Sequence, residues 1–101
     1  MSWSELLQSV FTSVHLAIYR LSQPLDPEAI RQMRAIEISV DRLRGAMAKQ
    51  NNDEAVTKYA RDAYQRTTVL AQRVKNTPAR TAVGRLLDLL TPYVTTPQLA
   101  A

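Results

Sequence analysis

The stretch DPEAIRQMRAIEISVDRLRGAMAKQ, residues 26–50, decides the fold because it places a regular apolar seam on a single helix. Asp26 is suited to cap this helix, Pro27 to be its first residue, and Glu28 to lie at its positive end. Apolar residues then recur at alternating steps of four and three, which is the spacing of a heptad seam. The seam consists of Ala29, Met33, Ile36, Val40, Leu43 and Met47.

The next segment, residues 53–75, carries a matching seam after a short polar break in which Asn51 or Asn52 is the expected cap. Its seam consists of Val56, Ala60, Ala63, Thr67, Leu70 and Val74. Bulky residues on one helix and small ones on the other allow facing layers to interdigitate. Because a short loop favours antiparallel neighbours, the two segments predict a long helical hairpin.

Two further helices flank this hairpin. The first is expected from Trp3 to Leu21, because Ser2 and Glu5 have the spacing of a capping box. The last is expected to start with Thr77 as its cap and Pro78 as its first residue. Pro92 is expected to end it. The prediction is an all-α fold, a small bundle of about four helices, with a single helical domain over residues 1–91 and an irregular tail over residues 92–101.

The apolar arcs of the first and last helices are wide, at roughly 140–160° on a helical projection. Two positions in seven suffice for a two-helix seam. A chain of 101 residues then offers little partner surface for both arcs. This predicts either homo-oligomerisation or a groove for a partner.

Composition excludes several kinds of site. The chain has no cysteine, so it can form neither thiolate metal sites nor disulfides, and two glycines are too few for a glycine-rich phosphate loop. His15 is the only histidine, so no histidine pair can bind a metal. We therefore expect no enzyme, no cofactor and no metal.

The sequence also shows none of the features of a membrane-spanning or secreted protein. There is no apolar run of about 18 residues for a transmembrane helix and no basic flank typical of a secretory signal. Arg20 is the only base on the first helix, so membrane-surface binding by that helix is not favoured. These features indicate a cytoplasmic protein.

The predicted function is a non-enzymatic protein–protein interaction module, a small self-associating regulator or adaptor of the inhibitor or anti-activator type. Its partner is expected to be another protein, itself, or both. The candidate contacts are aliphatic residues that lie off the seams and tyrosines that flank the seam of residues 53–75. They are Leu16, Ile38, Tyr59, Tyr64 and Val69.

The alternative is a DNA- or RNA-binding regulator. The net charge is +4, and residues 54–101 hold seven bases against three acids, which is the whole excess. A basic stripe of this kind can neutralise phosphates. The candidate residues are Lys58, Arg61, Arg66, Arg73, Arg80 and Arg85.

One segment resembles a known DNA-binding family. AQRVKNTPARTAVGRLL, residues 71–87, is similar to the turn and second helix of helix-turn-helix repressors, where Ser-Pro or Thr-Pro precedes a Thr, a Val and an Arg. The resemblance implies that Arg80, Thr81 and Arg85 face DNA. Lys75 departs from it, since that turn usually has glycine. The other interpretation of this segment is a plain junction between two helices.

Overall fold

The computed structural model describes residues 2–21, 26–49 and 53–100, with the side chains of residues 21 and 95–100 left out. Helix α1 spans Trp3–Leu16 and continues as a π-helical segment, Ala17–Leu21. Helices α2, α3 and α4 span Pro27–Met47, Asp53–Arg73 and Thr77–Ala100. The described ranges contain no strand, and the four helices pack together. The all-α helical bundle predicted from the sequence is therefore confirmed.

The predicted starts of α1 and α2 are confirmed by their caps. Ser2 Oγ accepts a hydrogen bond from the Glu5 amide at 3.1 Å, and Asp26 Oδ1 accepts one from the Glu28 amide at 3.0 Å. Desolvation acts to raise the pKa of Asp26, but the Glu28 amide and the Arg73 guanidinium outweigh it, and this pKa lies below its ordinary value of 3.8. The predicted caps of α3, residues 51 and 52, lie outside the described part of the chain.

The predicted start of α4 is one residue too late. Asn76, not Thr77, caps this helix: its side-chain Oδ1 accepts a hydrogen bond from the Ala79 amide at 2.8 Å. The Asn76 carbonyl also accepts the Arg80 amide at 3.1 Å. Asparagine is at least as good a cap as threonine, so the local preference of Asn76 prevails and Pro78 becomes the second helical residue.

The predicted end of α4 is also wrong. The helix continues through Pro92 to Ala100, so residues 92–100 are helical and do not form an irregular tail. An internal proline is costly because it removes a backbone donor and crowds the preceding turn. Packing on both sides of Pro92 favours continuation: Leu90 is fully buried, and the Tyr93 ring meets the Trp3 ring edge-on at 4.9 Å.

Helices α2 and α3 form the predicted hairpin, and theirs is the most extensive contact between any two helices. Two polar links prove the antiparallel direction. Ser39 donates a hydrogen bond to Asp62 midway along the pair, and Arg73 pairs with Asp26 at one end. Every seam residue is buried except Met47 and Val56, which are half-buried near the hairpin turn.

Helix α4 packs against both α3 and α1, and α1 also contacts α2, so the helices close into a ring around one core. The wide arcs of α1 and α4 are mostly covered inside this ring. On α1 the residues Leu7, Phe11, Val14, Ala17 and Ile18 are buried, and on α4 Ala79, Ala82, Val83, Leu86 and Leu90 are buried. The expectation that one chain lacks the surface to cover both arcs is wrong, since α4 is covered by α3 and α1, and α1 by α4 and α2.

Candidate functional site

The five predicted contact residues do not form one patch. Leu16, 44% exposed, borders a cleft between α1 and the start of α4. Ile38 and Val69, 53% and 39% exposed, lie on the outward faces of α2 and α3. Tyr59 and Tyr64 are both half-buried. Five residues of helix separate these rings by about 140° around α3, so they point to different sides.

A surface depression lies on the outward side of the hairpin, and we call it the α2–α3 groove. It measures about 820 Å³. Its walls come from both helices because the antiparallel register sets the middle of α2 beside the first half of α3. The lining residues are Ser39 and Arg42 of α2, and Glu54, Thr57, Lys58, Tyr59, Arg61, Asp62, Gln65 and Arg66 of α3.

Asp62 forms the fixed part of this groove. It accepts a hydrogen bond from Ser39, which is buried on α2, and Arg66 Nε donates to its Oδ2 at 3.1 Å. The Asp62 charge is thus balanced by a cation on its own helix and held by a hydroxyl on the neighbouring one. The three groups bridge the hairpin and orient Arg66 along the groove.

The rest of the groove is rich in free positive charge. Arg42, Lys58 and Arg61 form no ion pair within the part of the chain that the structure describes. The Lys58 ammonium lies 5.7 Å from the centre of the Tyr59 ring, within the range of a cation–π contact. Only Glu54 and Asp62 add negative charge, so four cations face two carboxylates.

The structure separates the six residues predicted for nucleic-acid binding. Lys58, Arg61 and Arg66 line the groove, as predicted for a common surface. Arg73 is instead committed to Asp26, with hydrogen bonds of 2.8 and 2.9 Å. The other two arginines are on α4, where Arg85 borders the cleft against α1.

Sequence reasoning missed Arg42 as a member of this cluster. Arg42 lies off the α2 seam among alternating charges, and nothing local distinguishes it from its neighbours. Its place opposite Lys58 and Tyr59 follows only from the register of the hairpin. A hairpin centred near residue 50 implies that register, so the signal was present but indirect.

The resemblance to helix-turn-helix repressors does not extend to the packing. α3 has 21 residues and α4 has 24, and α4 packs against α1 as well as α3. Arg80 and Arg85 are five residues apart, about 140° around the helix, so they do not share one face. The segment is an ordinary junction within the bundle.

The groove between α1 and α2 offers no metal site. His15 is exposed there near Glu37 and Asp41, and its ring lies 4.5 Å from that of Tyr19. In residues 2–21, 26–49 and 53–100, no three histidine, cysteine or acidic side chains come together as ligands. The two helices are joined by a hydrogen bond of 3.0 Å that Arg44 Nε donates to Ser4 Oγ.

No protein-family model, curated protein or solved structure matches this chain. Over the described residues, no helix is both long and apolar enough to cross a membrane.

Proposed function

We propose that this protein is a non-enzymatic protein-interaction module whose contact surface is the outward side of α2 and α3. The observation that carries the proposal is the α2–α3 groove, in which Arg42, Lys58 and Arg61 form no ion pair with any described residue and the Tyr59 ring is partly exposed. Arginine and tyrosine are enriched in protein interfaces, where they supply most of the binding energy.

Exposed aliphatic residues beside the groove support the same surface. Ile38 lies one helical turn before Arg42, and Val69 lies three residues after Arg66, so each is a neighbour on its own helix of a residue that lines the groove. They are two of the four large apolar residues that are exposed among the described residues. Apolar contacts beside mixed charge favour a protein partner.

Self-association was predicted because the apolar arcs of α1 and α4 were expected to stay partly uncovered. The packing of these helices within one chain weakens that reason. The groove also carries an excess of positive charge, and like charges oppose the meeting of two identical faces. A different protein is therefore the favoured partner, and homo-oligomerisation stays a prediction that sedimentation can check.

Nucleic-acid binding is the second candidate, supported by the gathering of Lys58, Arg61 and Arg66 in one groove. Two observations count against it. Glu54 and Asp62 would lie close to incoming phosphates, and Arg73 is already paired with Asp26. The cationic surface is thus shorter and more mixed than the sequence predicted.

Photo-cross-linking in the native host tests the proposal. A photoreactive phenylalanine replaces Ile38 or Val69, with Asp88, exposed on α4, as the matched control position. We expect discrete, nuclease-resistant protein adducts from the first two positions and none from the third. Adducts at twice the mass of the chain indicate a second copy, and nuclease-sensitive adducts indicate nucleic acid. Absence of protein adducts, or the same adducts from Asp88, would refute the proposal.

A further inference from the structure

We infer that the α2–α3 groove binds an amphipathic helix with acidic flanks, supplied by a different protein. This inference rests on the proposed function and adds the chemistry of the partner. It depends on three observations: the length of the groove, the positions of its unpaired cations, and the exposed aliphatic residues one helical turn from its lining residues.

The length of the groove sets the length of its occupant. Along α3 the lining runs from Glu54 to Arg66, which is about 18 Å at the rise of a helix. Two parallel ridges with a trough between them are the surface onto which a third helix packs. An occupant of about twelve residues, or roughly three turns, would fill the trough.

The free cations lie on both walls. Arg42 belongs to the α2 wall, whereas Lys58 and Arg61 belong to α3 and are one turn apart on its outer side. Between them, the Asp62 charge is balanced by Arg66, so it presents little net repulsion to an acidic partner. A helix in the trough would then need carboxylates on both of its flanks. This arrangement disfavours a second copy of the same basic surface.

The middle of the partner helix is expected to be apolar. The Tyr59 ring lines the trough, and two exposed aliphatic residues lie one helical turn from lining residues: Ile38 from Arg42 on α2, and Val69 from Arg66 on α3. Helices that dock in grooves present an apolar stripe formed by residues at i, i+3, i+4 and i+7. Glu54 lies at one end of the trough, one turn before Lys58. The acidic residues of the partner are therefore expected opposite residues 58–66 and not opposite Glu54.

Designed peptides test the inference on the full chain. Three peptides of about 14 residues are compared by fluorescence anisotropy. One has a leucine stripe with glutamate flanks, the second has the same stripe with lysine flanks, and the third has the glutamate composition with the stripe scrambled. Because the chain is basic, the third peptide measures plain charge attraction. We expect the first peptide to bind about ten-fold more tightly than either of the others.

Variants locate the binding. Replacing Arg42 and Arg61 by Gln together is expected to weaken the first peptide by about five-fold or more, because two charge pairs are lost. Arg85→Gln removes an exposed arginine from α4 and is the matched control, with a change below about two-fold. Thermal unfolding of each variant verifies that the fold is intact, since all three side chains are on the surface.

The outcomes separate the two proposals. Equal binding of the three peptides, an unchanged affinity in the Arg42 and Arg61 variant, or tighter binding of a duplex DNA of similar length would overturn the inference. Protein adducts at Ile38 and Val69 would still support the interaction surface in that case. If Ile38 and Val69 give no protein adducts, the proposed function itself is refuted.

Discussion

The substitution Ala63→Leu tests whether the seams of α2 and α3 pack closely against each other. Ala63 has no exposed surface and lies in the seam between the two helices. Leucine adds three carbon atoms at a point where protein interiors leave no free volume. The helix propensities of alanine and leucine are close, so the local effect on α3 is small. Almost the whole change in stability then reports on the space between the helices.

The size of the effect follows from two opposing contributions. If space existed, three buried carbons would stabilise the fold by about 2.4 kcal/mol. Because the seam is closed, the leucine instead pushes the helices apart or adopts a strained rotamer, which typically costs about 1–3 kcal/mol. We expect destabilisation by about 2 kcal/mol, equivalent to a fall in Tm of about 8–16 °C for a domain of this size. Urea unfolding measures the free energy and thermal unfolding measures the Tm, each followed by circular dichroism.

Two controls make this prediction strict. Ala55→Leu introduces the same side chain at a half-buried site on α3 and should change stability by less than about 0.5 kcal/mol. Ile36, which the register places at the level of Ala63, provides the second. Combining Ile36→Ala with Ala63→Leu should be less damaging than the sum of the single changes by about 1 kcal/mol. A stable Ala63→Leu protein, or strictly additive effects, would show that the two seams do not interdigitate.

Three further changes test other parts of the bundle. The Thr67 hydroxyl is buried and only donates to a carbonyl that the helix already satisfies, so Thr67→Val should leave stability unchanged or raise it by up to about 1 kcal/mol. Thr67→Ser should lower stability by about 1 kcal/mol in the same urea titration, because it removes a buried methyl group. Pro92→Ala should stabilise the fold by about 1–3 kcal/mol if α4 continues through this residue, and an unchanged urea midpoint would mean that the helix ends there. The lowered pKa of Asp26 means that its ionised form stabilises the fold above pH 3.8, and that this contribution is lost as the pH falls through the lowered value. Asp26→Asn keeps the cap but loses the charge, so its Tm should be lower at neutral pH and should fall less below about pH 4 than that of the wild type.

The hairpin could be predicted from the sequence because its determinants are local and repeated. Each seam offers six residues at heptad spacing, and Asp26 with Pro27 marks the start of α2 unambiguously. Agreement among the seam, the cap and the short loop leaves few competing arrangements. The antiparallel pairing then follows, and Ser39 with Asp62 and Asp26 with Arg73 confirm it.

The ends of α4 could not be predicted from local sequence alone. Two neighbouring residues can both cap its start, and a proline inside its last turns predicts an end that packing overrides. Thr77 and Asn76 are both acceptable caps, and only the backbone geometry decides between them. Pro92 is a strong local signal to stop, yet Trp3, almost ninety residues away, packs on Tyr93 just beyond it. Tertiary packing overrides local preference in this way wherever a distant side chain covers the next turn.

The sequence predicted surplus apolar surface on α1 and α4, and the ring of helices explains why these arcs are mostly covered within one chain. Each helix in a closed ring of four has two neighbours as well as the core, so a wide apolar arc is what α1 and α4 need to pack, not a surplus. Helices α2 and α3 have narrow seams, and they complete their contact with polar groups such as Ser39 and Asp62. On their outward side, Arg42, Lys58 and Arg61 form no ion pair with the rest of the described chain. Since all four helices have two neighbours, the width of an apolar arc indicates how much of a helix's packing is apolar and not how many neighbours it has. The narrow-seamed helices are the ones whose contacts include polar groups and whose charged side chains lie at the surface.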